Sequence, residues 1–281
     1  MKIKLGIVQF KPLLGEVDKN FKLHLRYLLR AKREKVDLLL FPELSFTGYH
    51  IKDLTLKAAI RPDDPPLKRL ARQAGAVSLL VGFVEESRDF KYYNSAAYIE
   101  SGKVISCHRK LYLPTYGMFD EGRYFARGGE LKAVDTKFGR VGVLICEDAW
   151  HSFCPQILAI DGVWLIINIA NATSRGASKK AFDSTETWET MNRFYARMHC
   201  CYVAFVNRCG LEDGVSFWGG SEVIAPDGGV VAKSPYLEDD FLVVTIDTEE
   251  VRGARFSSPL LRDERLDLIA AEIDRLRKLR L

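Results

Sequence analysis

RVGVLICEDAW, residues 140–150, is an apolar run that stops abruptly at a cysteine and two acids. An unbroken apolar run of this length is typical of a buried strand, and the polar break marks where that strand reaches the edge of its sheet. The strand therefore delivers the side chain of Cys146 to the edge. From these residues alone, Cys146 is either a small core side chain or a nucleophile.

The composition of the chain is that of an ordinary globular protein. Of its 281 residues, 47% are hydrophobic and 28% are charged, so the chain can bury a full core. The formal net charge is only +4, and basic residues are mixed with acidic ones along the chain. This pattern argues against nucleic acid as a partner.

Other features set the expected environment of the protein. No apolar run is long enough to cross a membrane, and residues 1–8 read as a strand rather than as a signal peptide. We therefore expect no membrane partner and a cytoplasmic location. The six cysteines form no CxxC pair and histidine is scarce near them, so we also expect reduced thiols, no metal and no cofactor.

Strand and helix signals alternate from end to end. Apolar runs such as 36–41 and 163–168 indicate buried strands, and residues 19–35 repeat apolar positions at helical spacing. Because several strands follow one another without a helix between them, we predict one α/β domain over residues 1–281 with mixed sheets. A further amphipathic pattern predicts a C-terminal helix over 262–281 within that domain.

Two more polar residues stand at the ends of predicted strands. Glu43 follows an apolar run and Pro42, and burying a carboxylate without a partner costs roughly several kcal/mol, so Glu43 must be exposed, paired or functional. Lys110 begins a long aromatic-rich loop, 110–129, and such loops inside compact domains are usually functional. Taken singly, a helix cap or an ion pair explains Glu43, and a surface charge explains Lys110.

Taken together, the three residues make a chemical site. A cysteine attacks as its thiolate, which the neighbouring acids Glu147 and Asp148 disfavour unless a cation or a base offsets them. Lys110 can stabilise the thiolate, and the Glu43 carboxylate can accept the thiol proton. Attack on a carbonyl or nitrile carbon then creates negative charge that the same ammonium and a backbone N–H after Cys146 can stabilise.

Three stretches resemble, in this order, the three motifs of the nitrilase, or carbon–nitrogen hydrolase, superfamily. They are FPELSFTGY (41–49), RKLYLPTYGMFDEGRYF (109–125) and LICEDAW (144–150), and the later DGVSFWGGSEVIAPDGGVVA segment (213–232) extends the likeness over nearly the whole chain. The resemblance implies a four-layer α-β-β-α sandwich built from two mixed sheets. It also implies association into homodimers or higher homo-oligomers, usually through one helical face.

The resemblance implies roles for the site residues as well. Glu43 would be the general base, Lys110 the oxyanion stabiliser and Cys146 the nucleophile, with Glu121 as a supporting carboxylate. For Glu121, the start of a short helix is an equally good explanation. The implied reaction forms a thioester with Cys146 and then hydrolyses it with water that Glu43 activates.

The second and third motifs are most similar to the glutaminase domain of glutamine-dependent NAD synthetases. That likeness implies that Tyr116 and Glu147 line a glutamine pocket and that Trp150 forms an aromatic wall, although Tyr116 and Trp150 could equally serve loop packing. A substrate carboxylate could be bound by one of three residues after the predicted strand: Thr173, Ser174 or Arg175.

We therefore expect a hydrolase of non-peptide C–N bonds in a small linear amide, with glutamine-like amides among the candidate substrates, that releases ammonia or an amine. The alternatives within the enzymes are an N-carbamoyl amidohydrolase, a nitrilase, an acyl transferase, and a glutaminase subunit that supplies ammonia to a separate synthetase. The alternative outside the enzymes is a scaffold or binding subunit on the same fold.

Overall fold

The computed structural model describes residues 1–173 and 183–279. The strands in this part of the chain are β1 (Lys2–Gln9), β2 (Leu38–Leu40), β3 (Ser78–Glu86), β4 (Tyr92–Glu100), β5 (Lys103–Arg109), β6 (Val134–Thr136), β7 (Gly139–Ile145), β8 (Leu165–Ala170), β9 (Tyr202–Asn207), β10 (Cys209–Glu212), β11 (Val215–Trp218), β12 (Glu222–Ile224), β13 (Val230–Lys233) and β14 (Asp240–Asp247). The helices are α1 (Val17–Arg33), α2 (Thr55–Ala58), α3 (Pro65–Ala74), α4 (Phe153–Ile160), α5 (Asp183–Met198), α6 (Thr248–Ser257) and α7 (Leu266–Leu279).

The described strands form two six-stranded sheets and one separate hairpin. The first sheet has the order β14-β1-β2-β3-β4-β5, the second has the order β13-β12-β9-β8-β7-β6, and β10 pairs only with β11. In the first sheet β1, β2 and β3 run parallel and the other neighbours are antiparallel. In the second sheet β7, β8 and β9 run parallel. Both sheets are mixed, as predicted.

Side-chain alternation along the strands explains why the two sheets pack face to face. Leu38 and Leu40 of β2 enter the apolar cluster between the sheets, whereas Leu39 lies in the cluster on the outer face. In β7, Val143 joins the inter-sheet cluster and Leu144 the outer one. Since successive side chains of a strand point to opposite faces, a strand that is apolar throughout must be covered on both sides.

Helices provide that outer cover. Leu28 of α1 and Leu67 and Leu70 of α3 pack with the outer face of the first sheet. Leu158 of α4 and Ala196 of α5 do the same for the second sheet. The resulting order of layers is helix, sheet, sheet, helix, and the four-layer α-β-β-α sandwich is confirmed.

Some elements differ from the sequence prediction. The β10–β11 hairpin and α6 were missed, because four-residue strands are too short for a periodic pattern and α6 (TEEVRGARFS) reads as a charged loop. The long helix before β9 is described from Asp183 onward. The C-terminal helix α7 has no buried residue. No helix of the described residues is both long and apolar enough to span a membrane.

A buried histidine of α1 supports the segment that follows β2. The His24 ring is stacked between Phe41 and Phe46, with ring centroids 4.1 and 4.3 Å away. Its Nδ1 donates a hydrogen bond to the Asn20 carbonyl at 2.7 Å. Burial lowers the pKa of His24 from 6.5 to about 4, although the bond to Asn20 acts in the opposite direction. The folded protein therefore holds this ring neutral.

That histidine makes stability depend on pH. Between pH 6.5 and about 4 the unfolded chain binds a proton at His24 and the folded chain does not, so the stabilisation is complete above this window and is lost as the pH falls through it. We predict that this group lowers the free energy of unfolding by about 2 kcal/mol between pH 7 and pH 5. Urea titrations of the wild type and His24→Gln should show a shallower pH dependence in the variant. Identical pH dependence in both proteins would contradict the prediction.

Candidate active site

Lys110, which directly follows β5, is a wholly buried ammonium between two carboxylates. Its Nζ lies 2.8 Å from Glu43 Oε1 and 2.7 Å from Glu121 Oε1. Burial by itself lowers the pKa of Lys110, but the charges of Glu121 and Glu43 outweigh it and raise the pKa well above its usual value. Lys110 is therefore a fixed positive charge across the range in which proteins are stable.

Glu43 is fully buried and every bond it makes ties it to another part of the chain. Besides Lys110, Oε1 accepts a hydrogen bond from Asn94 Nδ2 at 2.7 Å, and Oε2 accepts one from the backbone N–H of Asn171 at 2.7 Å. The Asn171 side chain also donates to the Glu43 carbonyl. These bonds compensate the cost of burying the carboxylate, and they hold it at the junction of both sheets.

Glu121 is the second carboxylate on Lys110, although its motif fits the superfamily loosely. The Tyr49 hydroxyl donates a hydrogen bond of 2.6 Å to the same Oε1 that accepts from Lys110, while Oε2 is buried without a partner among the described residues. Burial raises the pKa of Glu121 to about 7, with the Glu43 charge adding to the rise and Lys110 opposing it. Glu121 also begins a short 3₁₀ turn over Glu121–Arg123.

Cys146 directly follows β7 and opens a 3₁₀ turn over Cys146–Trp150. Its backbone adopts φ = +48°, a conformation that costs a non-glycine residue on the order of 1–3 kcal/mol and is concentrated at functional sites. The Cys146 N–H donates a hydrogen bond to Asn168 Oδ1 of β8 at 3.0 Å. The turn leaves the side chain half-buried at the cavity floor.

Asp148 joins the lysine segment to the cysteine segment. Its Oδ1 accepts backbone N–H bonds from Leu111 and Tyr112, at 2.9 and 3.1 Å. Its Oδ2 accepts from the Ile145 N–H at 3.1 Å and lies 2.9 Å from His108 Nε2. This buried carboxylate therefore fixes the residues just after Lys110 relative to those just before Cys146. Both of its oxygens have hydrogen-bond partners.

The electrostatics of the site hold the Cys146 thiol neutral at rest. Burial is the largest cause of a pKa well above the usual value, and the charges of Glu43, Glu121 and Glu147 raise it further while Lys110 lowers it. A thiolate would add a negative charge to a cluster in which Glu43 and Glu121 already outnumber the single ammonium. Any nucleophilic step must therefore transfer the thiol proton to a neighbouring base.

The cavity above Cys146 has about 360 Å³ of space between its lining atoms, part of it open to solvent. Its walls include the following side chains: Tyr49, Phe119, Glu121, Glu147, Trp150, Thr173, Ser184 and Trp188. The mixture of aromatic and acidic groups in this lining suits a small polar molecule.

The predicted substrate-binding residues occupy different places around this cavity. Glu147, Trp150 and Thr173 line it. Tyr116 is further out and exposed, but its hydroxyl lies 2.9 and 3.0 Å from the two oxygens of Glu147. The alternatives Ser174 and Arg175 lie outside the described residues.

A second, larger groove lies away from this site, lined by charged residues that include Arg61, Glu85, Glu86 and Arg109. Arg109 pairs with Glu85, and Arg61 lies 3.4 Å from Glu86. Arg109, in the second motif, borders this groove, whereas Glu43, Lys110 and Cys146 do not. Among the described residues, no cluster of His, Cys, Asp and Glu is arranged to hold a metal ion.

Several site residues were missed in the sequence. Tyr49 lies within the first motif and Asp148 within the third. Neither the bond from Tyr49 to Glu121 nor the bonds from the lysine segment to Asp148 were predicted. Asn94 and Asn171 belong to none of the three motifs. The one signal for them in the sequence is their polarity, in β4 and just after β8, where both bond the Glu43 carboxylate.

Comparisons with known proteins identify the family to which the chain is similar. The profile of the carbon-nitrogen hydrolase family matches residues 4–256. The glutamine-dependent NAD(+) synthetase of Thermotoga maritima is 32% identical over 257 residues, which are 89% of this chain and 43% of that protein. A probable nitrilase of Schizosaccharomyces pombe is 27% identical over 264 residues, covering 91% of this chain and 92% of the nitrilase.

Among solved structures, a carbon-nitrogen hydrolase from Helicobacter pylori G27 aligns with a TM-score of 0.84 at 24% identity, covering 97% of this chain and 99% of that one. At that identity the likeness shows the fold alone. The chain spans half or less of the length of the NAD synthetases it matches.

A close backbone approach holds Glu43 in place. A Cβ added to Gly82 of β3 would lie 2.4 Å from Leu44 N and 2.6 Å from Pro42 O, both rigid backbone atoms. The segment after β2 can therefore rest on β3 only because residue 82 has no side chain.

We predict that Gly82→Ala displaces Glu43 and destabilises the protein by about 1–3 kcal/mol, the usual cost of overpacking. The measurement is thermal unfolding together with the alkylation rate of Cys146. Gly253→Ala in α6 is the matched control, because a Cβ there meets nothing within 4 Å. Equal stability of the two variants would show that the approach at Gly82 imposes no constraint.

Proposed function

We propose, since the chain belongs to the carbon–nitrogen hydrolase family, that it hydrolyses the C–N bond of a small linear amide with Cys146 as nucleophile. The observation that carries the proposal is the Lys110 ammonium, bonded to Glu43 and Glu121 beneath the cavity that Cys146 lines. This arrangement supports the proposed roles of Glu43 as base, Lys110 as cation and Cys146 as nucleophile.

In the first half of the reaction, Cys146 Sγ attacks the amide carbon as Glu43 takes the thiol proton. The neutral resting thiol makes this coupled transfer necessary, because a free thiolate beside these carboxylates is disfavoured. The oxygen of the tetrahedral intermediate gains a negative charge, which Lys110 stabilises together with a backbone N–H after Cys146. Glu43 then passes the proton to the nitrogen, the C–N bond breaks, and ammonia or an amine leaves a thioester.

In the second half, water attacks the thioester carbon while Glu43 accepts a proton from it. The C–S bond breaks, the sulfur of Cys146 regains a proton from Glu43, and the carboxylic acid product is released. Lys110 stabilises the oxyanion in both halves. Removing one such donor commonly lowers kcat by about 10²–10³.

The proposed substrate class includes glutamine. Glu147 and the Tyr116 hydroxyl form a bonded pair at the cavity, and the Glu147 carboxylate could accept the ammonium group of an amino acid substrate. Trp150 would pack against the aliphatic part and Thr173 could hydrogen-bond the opposite end. The similarity to the NAD synthetases supports glutamine over simple aliphatic amides.

A second candidate is a glutaminase subunit that supplies ammonia to a separate synthetase. The observation in its favour is the similarity to the glutamine-dependent NAD(+) synthetase of Thermotoga maritima. In that case glutamine hydrolysis should accelerate when an ammonia-consuming synthetase binds the chain. N-carbamoyl compounds and nitriles are the remaining substrate classes within the family.

We also infer self-association through the outer face of α4 and α5. Phe153 and Ile157 of α4, and Phe194 and Met198 of α5, are exposed and spaced four residues apart, so each pair shares one face of its helix. Sedimentation of the purified chain as a monomer at micromolar concentration would count against a homodimer.

We predict that the purified protein releases ammonia from amides, with glutamine and small aliphatic amides as the first substrates to test, beside an N-carbamoyl compound and a nitrile. Cys146→Ala should abolish release, because the proposed thioester forms on the sulfur of Cys146. The measurement is ammonia production at fixed pH, with carbon dioxide followed for the carbamoyl substrate. Turnover of aliphatic amides without glutamine would refute glutamine specificity, and activity that survives in Cys146→Ala would refute the nucleophile.

A further inference from the structure

The β10–β11 hairpin carries a buried ion pair that the proposed reaction does not use. Arg208, just before β10, is 0% exposed and its Nη1 lies 2.7 Å from Oε2 of Glu212, which is 6% exposed. The Arg208 guanidinium also lies over the Phe217 ring, 4.1 Å from its centroid. Two more Arg208 nitrogens have no partner among the described residues.

Glu212 reaches across to the first sequence motif. Its Oε1 accepts the backbone N–H groups of both Tyr49 and His50, each at 2.8 Å. Gly48 is necessary for this approach, since its φ is +78° and a Cβ there would lie 2.6 Å from Glu212 Oε2. The carboxylate therefore grips the backbone of residues that are far away in the sequence.

The segment that Glu212 binds leads to Lys110 and its two carboxylates. Tyr49 projects from it, and its hydroxyl donates the 2.6 Å bond to Glu121 Oε1, the atom that also accepts from Lys110. The Phe217 ring of the hairpin packs edge-on against the Tyr49 ring, with centroids 6.1 Å apart. Backbone bonds and ring packing from one hairpin thus fix the direction in which the Tyr49 hydroxyl points.

Stability alone is a poor reason for this pair. Burial lowers the pKa of Arg208, and the loss of solvation makes a buried ion pair no more stabilising than well-packed apolar residues. Burial also acts to raise the pKa of Glu212, but the bonds from His50 and Arg208 outweigh it and bring the pKa to about 2. The carboxylate is therefore ionised whenever the protein is folded, as an acceptor of two backbone N–H groups requires.

We propose that Glu212, held by Arg208, is a positioning residue that keeps the Tyr49 hydroxyl on Glu121 and so fixes Lys110 between its two carboxylates. The proposal rests on the proposed function of the Glu43, Lys110 and Cys146 site.

The test is Glu212→Gln. The amide can accept the two backbone N–H groups or face Arg208 with its oxygen, but it cannot do both, because its other end is a donor. We expect kcat for the best amide to fall on the order of 10- to 100-fold, the cost of a misplaced catalytic group, with KM changed less than about 3-fold. Asp213→Asn is the matched control. Asp213 lies on the same hairpin and forms an exposed ion pair with Lys52, so the change should leave kcat unchanged.

A double-mutant cycle distinguishes positioning from general destabilisation. If Glu212 acts through Tyr49, Glu212→Gln should cost little further in a Tyr49→Phe background, because the hydroxyl it positions is already absent. Losses that multiply in the double variant would overturn the proposal. If Glu212→Gln fails to fold, Arg208→Lys is the alternative variant, because it weakens the ion pair with Glu212 and keeps both charges. The same double-mutant cycle with Tyr49→Phe is then measured.

Crystal structures of the variants test the positioning without turnover. We expect the Tyr49 hydroxyl to leave hydrogen-bond distance of Glu121 in Glu212→Gln and to stay there in Asp213→Asn. An unmoved hydroxyl in Glu212→Gln would overturn the proposal even if activity fell. If the wild type hydrolyses no amide, the proposed function fails, and the crystal structures still decide whether Glu212 positions Tyr49.

Discussion

The rest of the structure depends on one ammonium held out of water between two carboxylates. Lys110 touches Glu43 and Glu121 in a wholly buried place, so removing the amine would leave two buried carboxylates without a countercharge, at a cost of about 3–5 kcal/mol. Burial, and after it the charges of the surrounding carboxylates, raises the pKa of the Cys146 thiol well above its usual value. In the proposed reaction, proton transfer is therefore part of nucleophilic attack.

The sandwich brings these groups together from different layers. Glu43 follows β2 and Lys110 follows β5, both in the first sheet, whereas Cys146 follows β7 in the second. Face-to-face packing of the sheets aligns those strand ends, and side chains then tie the connecting segments to one another. Asp148 is one such tie, with bonds to residues on both sides of the junction. Backbone strain at Cys146 is tolerated because these bonds over-determine its position.

Much of this could be predicted from the sequence, because it is local. An apolar run that breaks at a polar residue marks a strand end, and Glu43, Lys110 and Cys146 each stand at such a break. Alternating strand and helix signals indicated the α/β class, while the layer order came from the resemblance of the motifs. The roles assigned to these residues remain proposals.

What could not be predicted depends on contacts between distant segments. Nothing near Asn94 or Asn171 indicates that both bond the Glu43 carboxylate, since those bonds exist only once the two sheets have packed. The β10–β11 hairpin was missed for a different reason, because its strands are too short to show a period of two. Glu212 consequently looked like an ordinary turn acid, although it is buried against the segment that carries Tyr49.

The most direct measurement of the central claim is the alkylation rate of Cys146 by iodoacetamide in the wild type and in Glu43→Gln, followed by mass spectrometry. If Glu43 accepts the thiol proton, the variant should react at least about tenfold more slowly, in keeping with the contribution of a general base. If Glu43 is only a negative charge near the sulfur, its neutralisation lowers the pKa of the thiol and the variant should react faster. Faster or unchanged alkylation in Glu43→Gln would contradict the account.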